Sequence, residues 1–123
     1  MAKNDSIRLK HMLEAAHICL QFVDGKKQVD FENDKMLCFA VVRALEIFGE
    51  AASHVSKSFQ EKHPTIQWRA ITGMRNRLIH AYFDIDYDIV WRALTHEIPK
   101  LIPELELLLS KSKKDDRAGL KLP

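Results

Sequence analysis

Residues 75–82 read RNRLIHAY and gather the side chains of this chain that are best suited to phosphodiester chemistry. Arg75 offers a planar fork of hydrogen-bond donors that matches phosphoryl oxygens. His80 carries an imidazole, whose usual pKa of about 6.5 allows proton exchange at neutral pH. Asn76 can orient either the imidazole or a phosphate by hydrogen bonding. These three residues are the candidate catalytic set.

Taken alone, an arginine followed five positions later by a histidine is a weak signal, because chance often produces such a pair. The structural alternative is a solvated Arg75 at a helix end, with His80 as a C-terminal cap that complements the helix dipole. Tyr82 could in the same way only pack its ring and hydrogen-bond locally. The motif therefore needs support from the rest of the chain.

The spacing of the motif raises a geometric problem. On an ideal helix with about 100° per residue, Arg75 and His80 are about 140° apart around the axis and do not share a face. Two solutions stay open. Either the helix unwinds around Ile79 and His80, or the arginine meets a histidine from another subunit.

The elements that must position these residues are helices. Apolar residues recur at three- and four-residue steps and no segment alternates with the two-residue period of a strand. We therefore predict an all-α, up-and-down bundle of four main helices, or five if Pro99 divides the last. The predicted helices cover residues 5–22, about 30–58, 65–79 and 87–109.

Local signals set the predicted ends of these helices. Asp5 or Ser6 is available to cap the first helix, and Asp24-Gly25 closes it. Gly49, inside the second helix, predicts a tight crossing with another backbone. The aspartates of the DIDYD run at 84–88 are predicted to cap the fourth helix.

Chain length predicts a single domain over residues 1–110 and a flexible tail over 111–123, where the periodicity is lost. The polar N-terminus and the lack of a long apolar run predict a cytoplasmic protein that does not enter a membrane. The net charge of +2 neither demands nor forbids RNA as a partner. Cys19 and Cys38 lie in apolar segments, which predicts buried free thiols.

Metal binding is not expected. No histidine pair has the i, i+4 spacing of helical ligands, and no HExxH is present. The DIDYD run lacks the glycine and glutamate of a calcium loop, whose places are taken by Ile89 and Thr95. We predict no metal and no cofactor.

Two blocks of the chain resemble a known family. WRAITGMRNRLIHAYFDIDYDIVW (68–91) and RALEIFGEAA (43–52) are similar to the HepT-type toxins of the HEPN superfamily. The mark of that family is an Arg, four residues, a His, one residue and a Tyr, which fall here on Arg75, His80 and Tyr82. The resemblance extends from the first helix to about Leu109.

The resemblance implies a metal-independent ribonuclease toxin of a type VII toxin–antitoxin system that acts as a homodimer on RNA. It further implies a nucleotidyltransferase antitoxin of the MntA type, which would neutralise the toxin by adenylylating Tyr82.

The metal-free RNA cleavage that the resemblance implies needs one group that takes the 2′-hydroxyl proton and another that protonates the leaving 5′-oxygen. The motif supplies one histidine per chain, so a two-fold dimer that joined two motifs would provide both groups. In such a cleft His80 transfers the protons and Arg75 stabilises the charge on the phosphoryl oxygens. The expected products are a 2′,3′-cyclic phosphate and a 5′-hydroxyl.

The alternative, since a fold does not determine function, is a catalytically inactive helical adaptor that binds a nucleotide or a partner protein in the dimer groove.

Overall fold

Helices are the only regular structure in the part of the chain that the structure describes. The computed structural model describes residues 2–81 and 84–119, and gives the backbone alone for 112–119. The absence of strands from these residues confirms the predicted all-α class. A π-helical segment, Ala93–Glu97, joins the last two helices. The α-helices are α1 (Lys3–Val23), α2 (Gln28–Asn33), α3 (Lys35–Ser53), α4 (Lys57–Lys62), α5 (Trp68–Leu78), α6 (Tyr87–Arg92) and α7 (Ile98–Gly119).

Helix α3 lies at the centre of the packing. It contacts α1 and α5, while α1 also packs against α7, and the short α2 contacts both α3 and α6. The apolar stripes predicted from the sequence meet in one core, as hydrophobic burial requires. Its most deeply buried large side chains include Leu9, Met12, Phe31, Leu45, Phe48, Ile66, Leu94, Ile98 and Leu105.

The predicted long second helix is wrong, because the structure divides residues 30–58 among α2, α3 and α4. Asp34 has an extended backbone, and its carboxylate accepts a hydrogen bond from the Leu37 N–H at 3.1 Å. Ser56 caps α4 by accepting from the Phe59 N–H at 3.2 Å. Short polar side chains compete with the helix for backbone donors, so each starts a new helix.

The predicted cap of the first helix is also wrong. Helix α1 begins at Lys3, and Ala2 occupies the N-cap position without a side-chain cap. Asp5 is instead buried, and its two carboxylate oxygens accept hydrogen bonds from the Ser56 N–H and hydroxyl, both at 2.7 Å. A buried carboxylate needs such partners. Asp5 therefore links the start of α1 to the start of α4.

Two predicted helix ends are confirmed. The chain leaves α1 through Gly25, whose φ of +71° lies in the region that favours glycine. Asp86 caps α6, and its carboxylate accepts from the Ile89 N–H at 3.2 Å. The third predicted helix begins later than expected, at Trp68, whose indole N–H donates to the His63 carbonyl at 3.0 Å.

The last predicted helix passes through Pro99 with a local change of hydrogen bonding. Pro99 has no N–H, and in an α-helix its ring would collide with the carbonyl four residues earlier. The π-helical segment lies immediately before it, and the Ile98 N–H bonds back to Ala93. Helix α7 then runs to Gly119, beyond the predicted boundary at residue 110. The flexibility of residues 111–123 stays a prediction.

Candidate functional site

The motif lies at the C-terminal end of α5. Arg75 and Arg77 are in its last turn, and the helix ends at Leu78. The Ile79 N–H bonds to the carbonyls of Arg75 and Arg77, and the His80 N–H bonds to that of Arg77. The bond from His80 to Arg77 has the i→i−3 spacing that tightens a helix end, so His80 stands in a turn beyond the helix.

This helix end agrees with the first of the two solutions for the Arg75–His80 spacing, in which the helix stops near Ile79. In the described part of the chain, no hydrogen bond joins the two side chains, and the His80 side chain is exposed. The second solution, in which Arg75 meets a histidine from another subunit, therefore also stays open. Tyr82 lies outside the described residues.

Arg75 differs from its neighbours in its surroundings. Asn76, Arg77 and His80 are exposed, whereas Arg75 is half-buried. The Nε atom of Arg75 is buried, and no acceptor among the described residues lies within hydrogen-bonding distance. A buried donor without a partner is costly and calls for an explanation, such as an acceptor that arrives with a ligand.

The predicted tight crossing at Gly49 is confirmed, and it occurs at the motif arginine. A Cβ atom placed on Gly49 would lie 2.5 Å from the Cβ of Arg75 and 3.3 Å from the carbonyl oxygen of Ile71. Helix α3 and helix α5 therefore approach each other closely at this point. The base of the Arg75 side chain lies directly on the α3 backbone.

A groove of about 460 Å³ lies between α5, the π-helical segment and α7. Arg77, Arg92 and Lys100 place positive charges along it, and two carboxylates, Glu97 and Glu104, also line it. Arg92 and Lys100 were not identified from the sequence. The signal that could have found them is their placement on the polar face of the fourth predicted helix, beside its apolar stripe.

The two cysteines are free and buried, as predicted. Burial raises the pKa of the Cys19 thiol to about 12, although a backbone hydrogen bond acts in the opposite direction. Burial also raises the pKa of Cys38. Both thiols are protonated at neutral pH and are therefore poor nucleophiles.

Within residues 2–81 and 84–111, whose side chains the structure describes, no group of three or more His, Cys, Asp or Glu side chains could hold a metal ion. In the same residues, no helix has both the length and the hydrophobicity to cross a bilayer.

The fold and the site define a small all-helical domain with an arginine–histidine motif at a helix end, and the similarity to other proteins agrees. The profile of the family described as HepT-like ribonucleases matches residues 12–108. The chain belongs to this family.

Several relatives match this chain over nearly their whole length. A Methanocaldococcus jannaschii protein provisionally named an RNase is 39% identical over 88% of this chain and 100% of its own. A Caldanaerobacter subterraneus protein with the same kind of name is 41% identical over 85% of this chain and 94% of its own. The "Probable ribonuclease HepT" of Thermococcus cleftensis is 38% identical over 88% and 98%. No solved structure gave a significant match.

Proposed function

We propose that this protein is a metal-independent endoribonuclease, the toxin of a type VII toxin–antitoxin pair that acts in the cytoplasm. The observation that carries the proposal is the state of Arg75. Its guanidinium is half-buried at a helix end, its Nε lacks an acceptor among the described residues, and the exposed imidazole of His80 follows in the next turn. A phosphoryl oxygen is the acceptor that best suits this arginine.

The proposed reaction divides the proton transfers between two protomers. His80 of one protomer takes the proton of the RNA 2′-hydroxyl, and the resulting oxygen attacks the adjacent phosphorus. The bond from phosphorus to the 5′-oxygen breaks, and His80 in the second protomer gives that oxygen a proton. Arg75 holds the non-bridging oxygens while negative charge accumulates on them, and Asn76 orients the imidazole or the phosphate. The products are a 2′,3′-cyclic phosphate and a 5′-hydroxyl.

A homodimer is supported by exposed apolar side chains on neighbouring helices. Met36, Phe39 and Ile47 are 77%, 55% and 42% exposed on α3, and Phe22 on α1 is 40% exposed. We call these four residues the α1/α3 face. Single exposed apolar residues are ordinary, but a patch of this kind marks an interaction site.

The place of the α1/α3 face suits a second copy of this chain. On a helix with about 100° per residue, Phe39 lies about 80° around α3 from Gly49, where Arg75 packs, whereas Met36 and Ile47 lie about 140° and 160° from it. A composite cleft therefore requires a two-fold axis on the Phe39 side of this face, where the two copies of α5 can approach each other. Glu14 and Arg43 both line the groove of about 440 Å³ between α1 and α3, so the surface carries both charge signs, as a self-complementary interface requires.

Regulation by a nucleotidyltransferase antitoxin forms part of the proposal. The Tyr82 oxygen would attack the α-phosphorus of ATP, with release of pyrophosphate, and would retain AMP. Tyr82 follows His80 by two residues, so the added bulk and negative charge would obstruct the cleft and repel RNA phosphates. The RNA substrate and the antitoxin are the partners that the proposal requires.

The cleavage proposal is tested with purified protein and 5′-labelled RNA in the presence of EDTA. The wild-type chain is expected to cleave, while Arg75→Ala and His80→Ala are expected to lose at least about 100-fold in rate. Arg69 is exposed in the first turn of the same helix, so Arg69→Ala is the matched control and should cleave RNA as the wild type does. Equal behaviour of all four proteins, or products with 3′-hydroxyl ends, would contradict the proposed chemistry and favour the adaptor.

The regulatory part is tested separately by mass spectrometry. After incubation with the antitoxin and ATP, we expect a mass increase of one AMP on the peptide that contains Tyr82, together with a loss of cleavage. Tyr82→Phe should remain unmodified, and Tyr87→Phe, in α6, should be modified as the wild type is. An unmodified wild-type peptide would refute this form of regulation.

A further inference from the structure

Gly49 occupies a position in α3 where no side chain fits. A Cβ there would lie 2.5 Å from Arg75 Cβ and 3.1 Å from Arg75 Cγ, and carbon atoms essentially never approach as closely as the first of these. The third neighbour is the Ile71 carbonyl oxygen, at 3.3 Å. These atoms belong to the base of a side chain and to a helix backbone, so they cannot rotate away as the tip of a flexible side chain would.

We propose that Gly49 is a positioning residue for Arg75, whose guanidinium it holds in the place that phosphodiester cleavage needs. The inference rests on the function proposed above and assigns a role in it to a residue that touches no substrate. The flat backbone surface at Gly49 lets α5 approach α3 closely and supports the Cβ and Cγ atoms of Arg75.

The surroundings of the arginines on α5 agree with this role. Arg69 and Arg77 are exposed, whereas Arg75 is half-buried and its Nε is inaccessible to solvent. An arginine side chain carries about 2 kcal/mol of rotamer entropy, which a free arginine must lose when it binds a phosphate. Contact with the α3 backbone removes part of this freedom before the substrate arrives, which is preorganisation.

Gly73 offers a matched control in α5 itself. A Cβ placed on Gly73 would meet no heavy atom within 4 Å. Glycine inside a helix costs about 0.5–1 kcal/mol relative to alanine, so Gly73→Ala should preserve or raise the stability of the fold. It adds the same methyl group as Gly49→Ala, in the neighbouring helix of the same crossing, without displacing Arg75.

The kinetic test compares Gly49→Ala, Gly73→Ala and the wild type as dimers, with folding checked by circular dichroism. We expect Gly49→Ala to lower kcat about 10- to 100-fold, as displacement of a catalytic group by a fraction of an ångström to about 1 Å does. KM should stay within about threefold, since the loss falls on the transition state. The shape of the pH profile should not change, because His80 is untouched. Gly73→Ala should cleave RNA as the wild type does.

A second measurement remains decisive if Gly49→Ala does not fold. Nuclear magnetic relaxation of the arginine Nε–H groups in the wild-type protein should give Arg75 an order parameter near the rigid value of about 0.85, and Arg69 and Arg77 values below about 0.6. In a folded Gly49→Ala the value for Arg75 should fall.

Three results would overturn the inference: an Arg75 as mobile as Arg77 in the wild type, a folded Gly49→Ala with the wild-type kcat, or an equal loss in Gly73→Ala. Failure of the proposed function gives a different result, namely a wild-type protein that does not cleave RNA. In that case, an immobile Arg75 that is released in Gly49→Ala still supports the role of Gly49 in holding the arginine.

Discussion

At the scale of single residues, burial determines which polar groups can react. The Nε–H of Arg75 is buried and has no acceptor among the described residues, whereas the buried carboxylate of Asp5 accepts two hydrogen bonds from Ser56. Cys19 is also buried, and burial raises the pKa of its thiol to about 12. The three groups are all shielded from water, but only the arginine has an unmet hydrogen-bonding capacity among the described residues.

The raised pKa of Cys19 predicts how stability depends on pH. The thiol of the unfolded chain ionises at about pH 9, whereas the folded thiol retains its proton until about pH 12. The contribution of Cys19 to the free energy of unfolding is therefore complete below about pH 9 and is lost progressively as the pH rises towards 12. Urea unfolding at pH 8 and pH 10.5 should show this loss in the wild type.

Cys19→Ala provides the control for that experiment. The variant should be less stable than the wild type at pH 8 because it leaves a small cavity, but its free energy of unfolding should fall less steeply between pH 8 and pH 10.5 than that of the wild type. An identical slope in the two proteins would show that Cys19 ionises in the folded state as readily as in the unfolded chain.

At the scale of elements, helix ends decide the geometry of the site. Asp34, Ser56 and Asp86 each begin a helix by accepting a backbone N–H, and the last turn of α5 tightens before His80. The α3–α5 crossing at Gly49 then determines how closely α5, the helix that carries the motif, packs on α3. Changes at helix junctions that lie away from α5 should accordingly affect stability more than cleavage.

The Asp5–Ser56 junction is the clearest case. Asp5→Ala leaves the Ser56 N–H and hydroxyl without their acceptor in a partly buried place, so we expect the free energy of unfolding to fall by about 2–4 kcal/mol. Glu61→Ala, an exposed change in α4, should alter it by less than about 0.5 kcal/mol. Denaturant titrations measure both.

Cleavage by the folded fraction of Asp5→Ala should match that of the wild type, because neither Asp5 nor Ser56 forms a hydrogen bond to a motif residue in the described part of the chain. A large loss of cleavage without a loss of stability would show that this junction communicates with the site.

At the scale of the whole molecule, α3 connects three features. It contributes much of the core, supports Arg75 at Gly49, and carries most of the α1/α3 face, which we propose as the interface with a second copy of this chain. A single helix would thus couple the proposed assembly to the position of Arg75, the arginine proposed to act in cleavage.

The α1/α3 face makes a direct prediction about assembly. Phe39→Glu places a charge in the middle of the proposed interface, so we expect a folded monomer in light scattering and a loss of cleavage of at least about 10-fold. Leu107→Glu, on α7, is the control with similar exposure, since Leu107 is 56% exposed and Phe39 is 55% exposed. Loss of the dimer with full retention of cleavage would exclude a composite site.

Hydrophobic periodicity was sufficient to predict an all-helical protein and its core stripes, because a 3.6-residue repeat is a local property of the chain. The residue types of the motif and the glycine at position 49 were also apparent. The sequence did not reveal that residues 30–58 divide into three helices, because Asp34 and Ser56 act as caps only where tertiary packing favours a break. Nor did the sequence predict the hydrogen bonds between Asp5 and Ser56, which lies 51 residues away.

What the sequence determined by itself is the chemistry that is available: two guanidiniums, one amide and one imidazole within six residues, on a chain patterned for helices. What only the tertiary structure decided is how Arg75 differs from Arg69 and Arg77 on the same helix. The difference arises because α5 crosses α3 at a residue without a side chain, and the close approach of two backbones depends on long-range packing that local patterns do not encode.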